Sequence, residues 1–542
     1  MSPTIYNYKN YTAQQLLTYV NTFSEAHNVD FMVGHENYGN IYTYLSGSKN
    51  TETFAGQNHL INFTTIVGLT DYEYNDKSES YFGRARYNYN EKYFVEGSIR
   101  RDGTSRVSKA HRWDNFWSIG GSWLISKENF MQDYAWVNTL KFRAATGVVG
   151  SLASLGFNDY LSLYALAQNN NLSALYKSNI GNPDLRWEGS QSSSLALEGR
   201  LFNRMNFVVE YFDKRSKDLL FNVNLPLSVG STTSGSGTAS VTRNVGDLVN
   251  KGFELTLNGD IIRNGDFTWN LGFNATLLKN KIINLPEENK ENGIISAPFK
   301  YMEGHSVFDY FLRQYAGVDM MTGQSLYYAD TETYDPTDVT GAWHPFLQEV
   351  NGVMYTRNAS YAKQEFSGSS IPKVSGGITT SLNYKNWDLS GLFTYSVGGK
   401  GLDYSYIDLM SMGASPSSAH ADLTKAWTEA PAGMTETSSN RINPDAVPQV
   451  NFSNSQYNNA TSTRFLLNNS YFVIRNVALG YRLPNEIAQK AGLSRVSFIL
   501  SGENLATFNA LKGYSSQQTF GGYSQNQFVP QRTISFGLNV GF

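Results

Sequence analysis

Cysteine is absent from this sequence of 542 residues, which excludes disulfide bonds and cysteine-ligated metal sites. Charged residues make up only 16% of the chain, below the roughly one quarter that is usual in soluble domains. No run of about eighteen apolar residues occurs, so the sequence contains no candidate for a membrane-spanning helix. The net charge of -3 gives no reason to expect nucleic acid as a partner.

Aromatic residues, in contrast, are abundant. They form 14% of the chain and include 35 Tyr and 32 Phe. Tyr, Trp and Phe form girdles at both interfaces of a transmembrane β-barrel, and half of each strand of such a barrel faces lipid. Low charge together with many aromatic residues is therefore typical of a membrane β-barrel.

The last eleven residues, 532–542, show the pattern that a membrane strand requires. Apolar side chains alternate with small or polar ones, and the apolar set is Ile534, Phe536, Leu538, Val540 and Phe542. Successive side chains of a strand point to opposite faces, so one face is apolar and the other polar. The same alternation recurs in residues 267–277. We predict that Phe267, Trp269, Leu271, Phe273 and the apolar side chains of the last strand face lipid.

Connections between the predicted strands alternate between tight turns and long loops. Asn90 and Glu91 form one tight turn, and Lys385 and Asn386 form another. The predicted long loops are 36–77, 150–189, 217–248, 330–371, 399–468 and 507–530. Outer-membrane barrels have short periplasmic turns and long extracellular loops. The sequence therefore predicts an all-β fold, a large antiparallel transmembrane β-barrel, as one domain over residues 1–542.

The strand count is odd. We count about 17 strands, against the even number expected of bacterial barrels. The N-terminus lacks the charged and apolar segments of a signal peptide. Both observations predict that the chain is the C-terminal part of a larger barrel. They also predict that its first strand, at 13–23, and its last strand do not pair with each other.

Nine short motifs follow one another along the chain. They occupy residues 81–87, 100–106, 182–188, 250–255, 315–319, 372–377, 475–481, 502–505 and 530–533. In this order they resemble the SusC/RagA branch of TonB-dependent transporters, the nutrient importers of the Bacteroidota outer membrane. The resemblance covers the distal barrel, from residue 81 to residue 542.

The resemblance implies a barrel of about 22 strands, of which about 17 lie in this chain. The plug domain and the first strands of the family are absent, so we expect this N-terminal segment on the same or on a separate polypeptide. The implied function is import of glycans or peptides across the outer membrane, energised by TonB through that segment. The implied partners are a SusD-like surface lipoprotein acting as a lid and outer-membrane lipid. No cofactor is implied.

Other classes of function remain as alternatives. A passive plug-less pore or a degenerate receptor would use the same wall without energised import. A secreted adhesin would not fractionate with the outer membrane. An enzyme would need a catalytic group of side chains, and the sequence shows none; its seven histidines lack metal-binding spacing such as His-Glu-x-x-His. We predict that the protein is not an enzyme.

Charged side chains lie on the polar face of the first clear hairpin. They are Arg84, Arg86, Glu96 and Arg100. One interpretation is that they anchor a plug or steer an anionic ligand, and the other is that they form cross-strand ion pairs on a wetted wall. The motif Asn-Pro-Asp-Leu-Arg-Trp-Glu at 182–188 predicts a structural corner at the start of a strand, because proline blocks ladder pairing.

The long loops hold the candidate ligand-binding residues. These residues are Tyr404, Tyr406, Asp422, Trp427, Tyr514, Phe520, Tyr523 and Gln525. Aromatic platforms combined with amides and carboxylates bind sugars, and also peptides, by stacking and hydrogen bonding. The alternative is that these loops pack on themselves or on a partner lipoprotein.

Overall fold

The computed structural model describes residues 1–170, 172–225, 228, 240–411, 418–509, 516–518, 521–524 and 527–542.

The described residues form β-strands along the whole chain. The first twelve are β1 (Thr4–Phe23), β2 (His27–Glu52), β3 (Phe63–Tyr89), β4 (Tyr93–Thr104), β5 (Trp113–Leu124), β6 (Val137–Ser151), β7 (Leu163–Asn169), β8 (Leu172–Asn179), β9 (Glu188–Leu201), β10 (Met205–Lys217), β11 (Leu220–Asn224) and β12 (Ser240–Asn244). The next ten are β13 (Asp247–Asn264), β14 (Phe267–Asn284), β15 (Ile294–Ser296), β16 (Phe299–Tyr301), β17 (Asp309–Arg313), β18 (Tyr315–Asp319), β19 (Ser325–Tyr328), β20 (Leu347–Val350), β21 (Val353–Thr356) and β22 (Gln364–Ser369). The last eight are β23 (Val374–Tyr384), β24 (Trp387–Val397), β25 (Lys400–Leu402), β26 (Ile442–Asn443), β27 (Leu466–Asn468), β28 (Tyr471–Arg482), β29 (Arg495–Asn509) and β30 (Thr533–Gly541).

Helices are few and short. The α-helices are α1 (Tyr404–Leu409), α2 (Ser455–Asn458) and α3 (Asn485–Lys490). Single 3-10 turns occupy Leu60–Asn62, Ile125–Lys127, Asn129–Met131, Glu287–Asn289, His344–Phe346, Ala359–Tyr361, Ala421–Lys425, Phe452–Asn454, Thr463–Phe465 and Ser516–Gln518. In the part of the chain that the structure describes, no helix is long and apolar enough to cross a membrane.

One large sheet confirms the predicted all-β fold. It has 15 strands, in the order β1-β2-β3-β4-β5-β6-β9-β10-β13-β14-β23-β24-β28-β29-β30. The number is odd, as predicted, but smaller than the predicted count of about 17. β1 and β30 stand at opposite ends of this order, and no ladder joins them within the described residues, also as predicted.

The chain divides into two compact units, and the first comprises Met1–Asn203, Glu210–Lys251 and Ile283–Glu287. One face of its sheet is apolar over four to five cross-strand rows. The row at one end of this band is Phe23, His27, Tyr89, Tyr93, Trp123 and Phe142. In β3 the band reaches from Tyr89 to Tyr81, about nine residues or roughly 27 Å of extended chain. A run of this length is close to what a tilted strand needs to cross the apolar part of an outer membrane.

The strands β1, β2 and β3 continue far beyond this apolar band. The sequence predicts a long loop at 36–77, and this prediction is wrong for most of its length. Residues 36–52 and 63–77 form paired parts of β2 and β3, and only 53–62 connect them. The first strand also begins at Thr4 and not at residue 13. Beyond lipid both faces of a sheet are wet, and a ladder of backbone hydrogen bonds then needs no apolar alternation. We call residues 4–14, 36–52 and 63–80 the arm.

The second compact unit comprises Arg204–Val209, Gly252–Ile282 and Glu288–Phe542. Its sheet strands carry an aromatic row formed by Phe267, Tyr384, Trp387, Tyr481 and Phe498. The next row on the same face is Trp269, Leu382, Leu389, Leu479, Leu500 and Phe536. The opposite face carries the row Asn270, Ser381, Ser390, Ala478, Ser501 and Ser535. The alternation predicted from the last strand is therefore shared by six neighbouring strands.

Two long connections of the second unit contain structure of their own. Residues 288–373 and 398–470, which we call the loop core, hold β15 to β22, β25 to β27, α1 and α2. The predicted loops 330–371 and 399–468 both lie within it. Three clusters of buried hydrophobic residues occur in it: Phe299, Tyr310, Leu312, Leu402 and Phe465 in the first, Leu326, Val350 and Tyr355 in the second, and Tyr327, Ala359 and Ala362 in the third.

Candidate ligand-binding site

The short helix α1 and the segment 521–524 are joined by hydrogen bonds. Asp403 caps the helix, since its Oδ1 accepts from the backbone N–H of Tyr406 at 3.0 Å. The same oxygen accepts from the Ser524 hydroxyl at 2.8 Å. The Ser524 hydroxyl in turn accepts from the N–H of Ser405 at 3.1 Å. The buried carboxylate of Asp403 thus fixes both segments at one place.

A cavity of about 460 Å³ lies at this junction. Its lining residues are Ala297, Pro298, Tyr404, Ser405, Asp408, Tyr523 and Ser524. The rings of Tyr404 and Tyr523 meet edge to face, with centroids 5.5 Å apart and an interplanar angle of 77°. The volume is within the range of small-molecule sites, and the lining offers aromatic surface, hydroxyls and one carboxylate. This arrangement suits a neutral or weakly polar ligand that both stacks and hydrogen-bonds.

Tyr404 can act as a hydrogen-bond donor in this cavity. Its ring is partly buried, and burial together with the neighbouring Tyr523 raises the pKa of its hydroxyl. The phenol therefore remains protonated at and well above neutral pH. Of the eight predicted site residues, Tyr404 and Tyr523 are the two that line this cavity.

Tyr406 and Asp422 form a separate pair. The Tyr406 hydroxyl donates to Asp422 Oδ2 at 3.0 Å. Burial and this hydrogen bond raise the pKa of Tyr406 to about 12. The ammonium of Lys425, 2.9 Å from Asp422 Oδ1, and the Tyr406 hydroxyl lower the pKa of Asp422. Neither residue lines the cavity, and the pair joins α1 to the turn at Ala421–Lys425 within the loop core.

Trp427 is also held within the loop core. Its indole N–H donates to the carbonyl of Met320 at 2.9 Å. Its ring covers Gly323, where an added Cβ would lie 2.2 Å from the ring. For this residue the structure supports the alternative interpretation, a loop packed on itself. The remaining predicted residues, Tyr514, Phe520 and Gln525, lie outside the described residues.

The loop core also contains a buried ion pair that the sequence analysis did not identify. Arg441 Nε and Nη2 each lie 3.0 Å from a different carboxylate oxygen of Asp319, which is fully buried. Gln348 Nε2 donates to the same carboxylate at 3.1 Å. Burial raises the pKa of Asp319, but these donors outweigh burial, so the pKa is lowered overall. In the sequence, the motif at 315–319 was the available signal for this ion pair. The structure shows why it contains a glycine: a Cβ atom added at Gly317 would lie 2.7 Å from the backbone of Asn443.

The polar face of the first unit carries cross-strand ion pairs. Arg84 lies 3.3 Å from Asp30, and Arg86 lies 2.5 Å from its directly opposed neighbour Glu96. Arg100 of β4 forms an ion pair with Glu36 of β2, at 2.9 Å. The arrangement favours the interpretation of cross-strand ion pairs on a wetted wall over that of charges that anchor a plug or steer an anionic ligand.

The motif at 182–188 is a structural corner, as predicted. Asn182 Nδ2 donates to the carbonyl of Thr242 at 2.9 Å, and Leu185 is fully buried. Glu188 accepts from the N–H of Leu220 at 2.8 Å. Among the described residues, no group of three or more His, Cys, Asp and Glu side chains is placed to hold a metal ion.

Comparison with known proteins identifies the family. The family model "TonB dependent receptor-like, beta-barrel" matches residues 2–505. The TonB-dependent receptor P3 of Formosa agariphila is 28% identical over 99% of this chain and 53% of its own length. The TonB-dependent receptor SusC of Bacteroides thetaiotaomicron is 25% identical over 85% of this chain and 43% of its own length. This chain thus spans about half the length of the curated relatives it matches.

A solved structure shares the fold. The RagAB peptide transporter matches with a TM-score of 0.79 at 21% identity, over 100% of this chain and 56% of that chain. The family match, the aromatic row and the apolar faces agree with one another, and they confirm the predicted resemblance and the outer-membrane location. The chain belongs to the family of TonB-dependent receptor-like β-barrels.

Proposed function

We propose that this chain forms the wall and the long loops of a SusC-like importer that takes up glycans or peptides across the outer membrane. The observation that carries the proposal is the cavity formed by Tyr404, Tyr523, Asp408 and Ser524. It combines stacking surface with hydrogen-bonding groups, which is what recognition of a sugar or a short peptide requires. The names of its relatives, a receptor called SusC and a peptide transporter, support the same class of function.

In this proposal each part of the chain has a distinct task. The apolar faces hold the wall in lipid, and the polar faces line the path of the ligand. Tyr404 and Tyr523 stack on the ligand, while Ser405 and Asp408 orient it by hydrogen bonds. Asp403 is a positioning residue, because it acts through the backbone of α1 and the Ser524 hydroxyl. The chain itself supplies no energy for release into the periplasm.

Energy would come from TonB through a plug that a further segment supplies. In the described part of the chain, β1 pairs only with β2, and β30 pairs only with β29. Unpaired backbone groups in lipid cost several kcal/mol each, so we propose that further strands cover both edges. Such strands would also bring the plug, carried on the same or on a separate polypeptide.

The proposed lid is a SusD-like surface lipoprotein. Loops 399–468 and 217–248 are its expected contacts, since both are long and polar and the first also carries aromatic side chains. Residues 226–227 and 229–239 of the second loop lie outside the described residues. Affinity purification of the receptor from native membranes should recover the lipoprotein, and its absence from the eluate would contradict this part of the proposal.

Uptake by living cells tests the import function. Cells that carry Tyr404→Ala with Tyr523→Ala should lose most uptake of the labelled glycan or peptide mixture. The matched control is Tyr328→Ala, an exposed tyrosine of the loop core that does not line the cavity. Deletion of TonB distinguishes energised import from the alternative function of a passive pore. Energised import stops without TonB, whereas a passive pore continues to pass the solute. Unchanged uptake in the double variant would contradict the role of the cavity.

A further inference from the structure

The arm carries a continuous aromatic surface on one face. Along β2, even-numbered positions share a face with Asp30, whereas the apolar band uses the odd-numbered Phe31 and Val33. The pairing of β2 with β3 shifts register only at Ser48 and Lys49, near the far end of the arm. The even-numbered face of the arm is therefore the continuation of the polar inner wall, and not of the lipid face.

Six tyrosines occupy two adjacent cross-strand rows of this face. The rows are Tyr6, Tyr44 and Tyr72, and Tyr8, Tyr42 and Tyr74. We call them the tyrosine ladder. Rows on one face follow each other at roughly 7 Å, and neighbouring strands lie about 4.8 Å apart. The ladder is thus a compact platform on the wall beyond the membrane band.

The rings of the ladder stack on one another in an ordered way. Tyr44 and Tyr72 stack with centroids 4.6 Å apart at 14°, and Tyr8 and Tyr42 lie 4.7 Å apart at 30°. Tyr42 is hydrogen-bonded to Tyr72, which raises the pKa of Tyr42. The rings at the β1 side remain open, because Tyr6 and Tyr8 are 57% and 61% exposed.

At its other side the ladder ends on a fixed cation. Tyr74 stacks on Phe157 with centroids 4.8 Å apart at 13°. The guanidinium of Arg106 lies over the ring of Phe157, 4.6 Å from its centroid. Arg106 also pairs with Asp76 at 3.0 Å. The platform is therefore preorganised at one side and open at the other.

The rows that flank the ladder are polar but carry no free charge. They are Thr4, Ser46 and Thr70 on one side, and on the other Asn10, Asn40 and Asp76 followed by Thr12, Tyr38 and Ser78. The one carboxylate among them, that of Asp76, is neutralised by Arg106. Asn40 Oδ1 is buried and has no hydrogen-bond partner among the described residues. The polar groups that the face presents beside the rings are therefore those of the exposed Thr4, Asn10 and Thr12.

We propose that the tyrosine ladder binds a linear, uncharged oligosaccharide. A pyranose ring presents C–H faces that stack on exposed aromatic rings and hydroxyls that bond to Tyr, Ser, Thr and Asn side chains. The face runs over five rows, from Thr4 to Thr12, or roughly 27 Å of extended strand, which suits a chain of several sugar units. The inference rests on the proposed import function and names its substrate class as glycan.

The charges of the face favour a glycan over a peptide. A peptide brings charged termini and side chains, and the described residues of this face offer them no unpaired counter-charge. A neutral sugar chain loses no ionic hydration on binding and is matched by hydroxyls and amides. A peptide ligand therefore stands as an outcome of the test that would overturn the inference.

Calorimetric binding to the receptor purified from outer membranes in detergent tests the inference. The probes are three neutral hexasaccharides, maltohexaose, xylohexaose and laminarihexaose, with hexagalacturonate and hexaalanine as charged and peptide comparators. At least one neutral hexasaccharide should bind, and Tyr8→Ala with Tyr42→Ala should weaken it about tenfold or more, since two stacking contacts are lost. Tyr42→Phe, which keeps the ring, should weaken it less.

The matched control changes the opposite face of the same two strands. Asn7→Ala with Thr43→Ala alters a directly paired position there, and it should leave the affinity within about twofold. Heat-modifiable migration in gels verifies that each variant keeps its β-structure. Failure of all three neutral probes to bind, equal affinity in the ladder variant, or a ladder-dependent affinity for hexaalanine would each overturn the inference.

The uptake assay keeps the two proposals distinguishable. Ladder-dependent hexasaccharide binding without any cellular uptake would contradict the import function and leave the ladder assignment intact. Cellular uptake of the labelled mixture by a receptor whose ladder variant binds the hexasaccharides as tightly as the unmodified receptor would contradict the ladder assignment and leave import intact.

Discussion

Tyrosine serves different ends in the arm and in the loop core. In the arm Tyr8 is 61% exposed and stacks on Tyr42 across a sheet face, whereas in the loop core Tyr327 is fully buried and donates to the carbonyl of Tyr457 at 2.6 Å. The arm pairs strands that are neighbours in sequence, and backbone ladders hold it. The loop core joins distant segments, such as Asp319 and Arg441, by a buried ion pair in addition to short backbone ladders. Aromatic content alone therefore does not reveal whether a predicted loop forms an exposed aromatic surface or a buried core.

The largest expected effect tests whether the loop core depends on its buried ion pair. Asp319→Ala should destabilise it by about 3–5 kcal/mol, because Arg441 would be left as an unpaired buried charge. Hydrogen exchange of the loop core in the detergent-solubilised receptor measures the loss. Lys363→Ala, which removes an exposed pair with Glu365, is the matched control and should cost less than about 1 kcal/mol. Equal effects of the two substitutions would show that the loop core does not depend on its buried ion pair.

Tyrosine to phenylalanine is a substitution that can be made both in the loop core and in the arm. Tyr327→Phe should cost about 1–2 kcal/mol, since it leaves the carbonyl of Tyr457 without its donor in a buried site. Tyr6→Phe in the arm should change stability by less than about 0.5 kcal/mol, because the Tyr6 side chain is exposed. Local exchange rates of the two regions report both values. A larger cost for Tyr6→Phe would show that the arm has a buried environment after all.

A titration distinguishes the causes of the raised tyrosine pKa values. In the loop core, burial and Asp422 raise the pKa of Tyr406 to about 12, so this group stabilises the fold below pH 10 and the contribution is lost as the pH rises towards 12. We expect the loop core to loosen over that window, and Tyr406→Phe to remove the dependence. In the arm, Tyr72→Phe should return the pKa of Tyr42 towards its ordinary value without loosening the loop core. Ultraviolet absorption of tyrosinate during titration follows both groups.

The smallest expected effect concerns the stability of the arm itself. Tyr8→Ala removes one cross-strand pair and should cost about 0.2–1 kcal/mol. Protease resistance of the arm, compared with that of Asn7→Ala on the opposite face, measures the change. Complete digestion of the Tyr8→Ala arm under conditions that spare the control would show that the tyrosine ladder is a structural core, and would weaken its interpretation as a binding surface.

The membrane part of the fold could be predicted from the sequence because lipid imposes strict alternation there. Phe536 and Leu538 sit on the apolar face as expected, and the tight turns at Asn90 and Lys385 lie where polar residues interrupt the pattern. The arm could not be predicted, since water on both faces removes the alternation that marks a strand. Polar residues such as Asn40 and Ser46 were therefore interpreted as loop.

The candidate site could be predicted in part. Tyr404 and Tyr523 were found from the aromatic content of their loops, and they do line one cavity. Pro298, Asp408 and Ser524 were missed because they come from segments that only the folded chain brings together. The role of Trp427 in ligand binding stays a prediction, because a tryptophan that packs on Gly323 has the same sequence signature as one that stacks on a ligand.

The long pairing of β2 with β3 also restricts how this receptor can change during evolution. One residue inserted between Phe31 and Tyr42 would rotate every tyrosine of the ladder in β2 to the other face, because side chains repeat with a period of two. Two residues would restore the face but displace the ladder along the wall, and only matching insertions in β1 and β3 would keep the rows aligned. We therefore expect natural length variants of the arm to differ by even numbers of residues, in all three strands at once. Single-residue insertions should be confined to the region of the existing bulge at Ser48 and Lys49 and to the connection at 53–62.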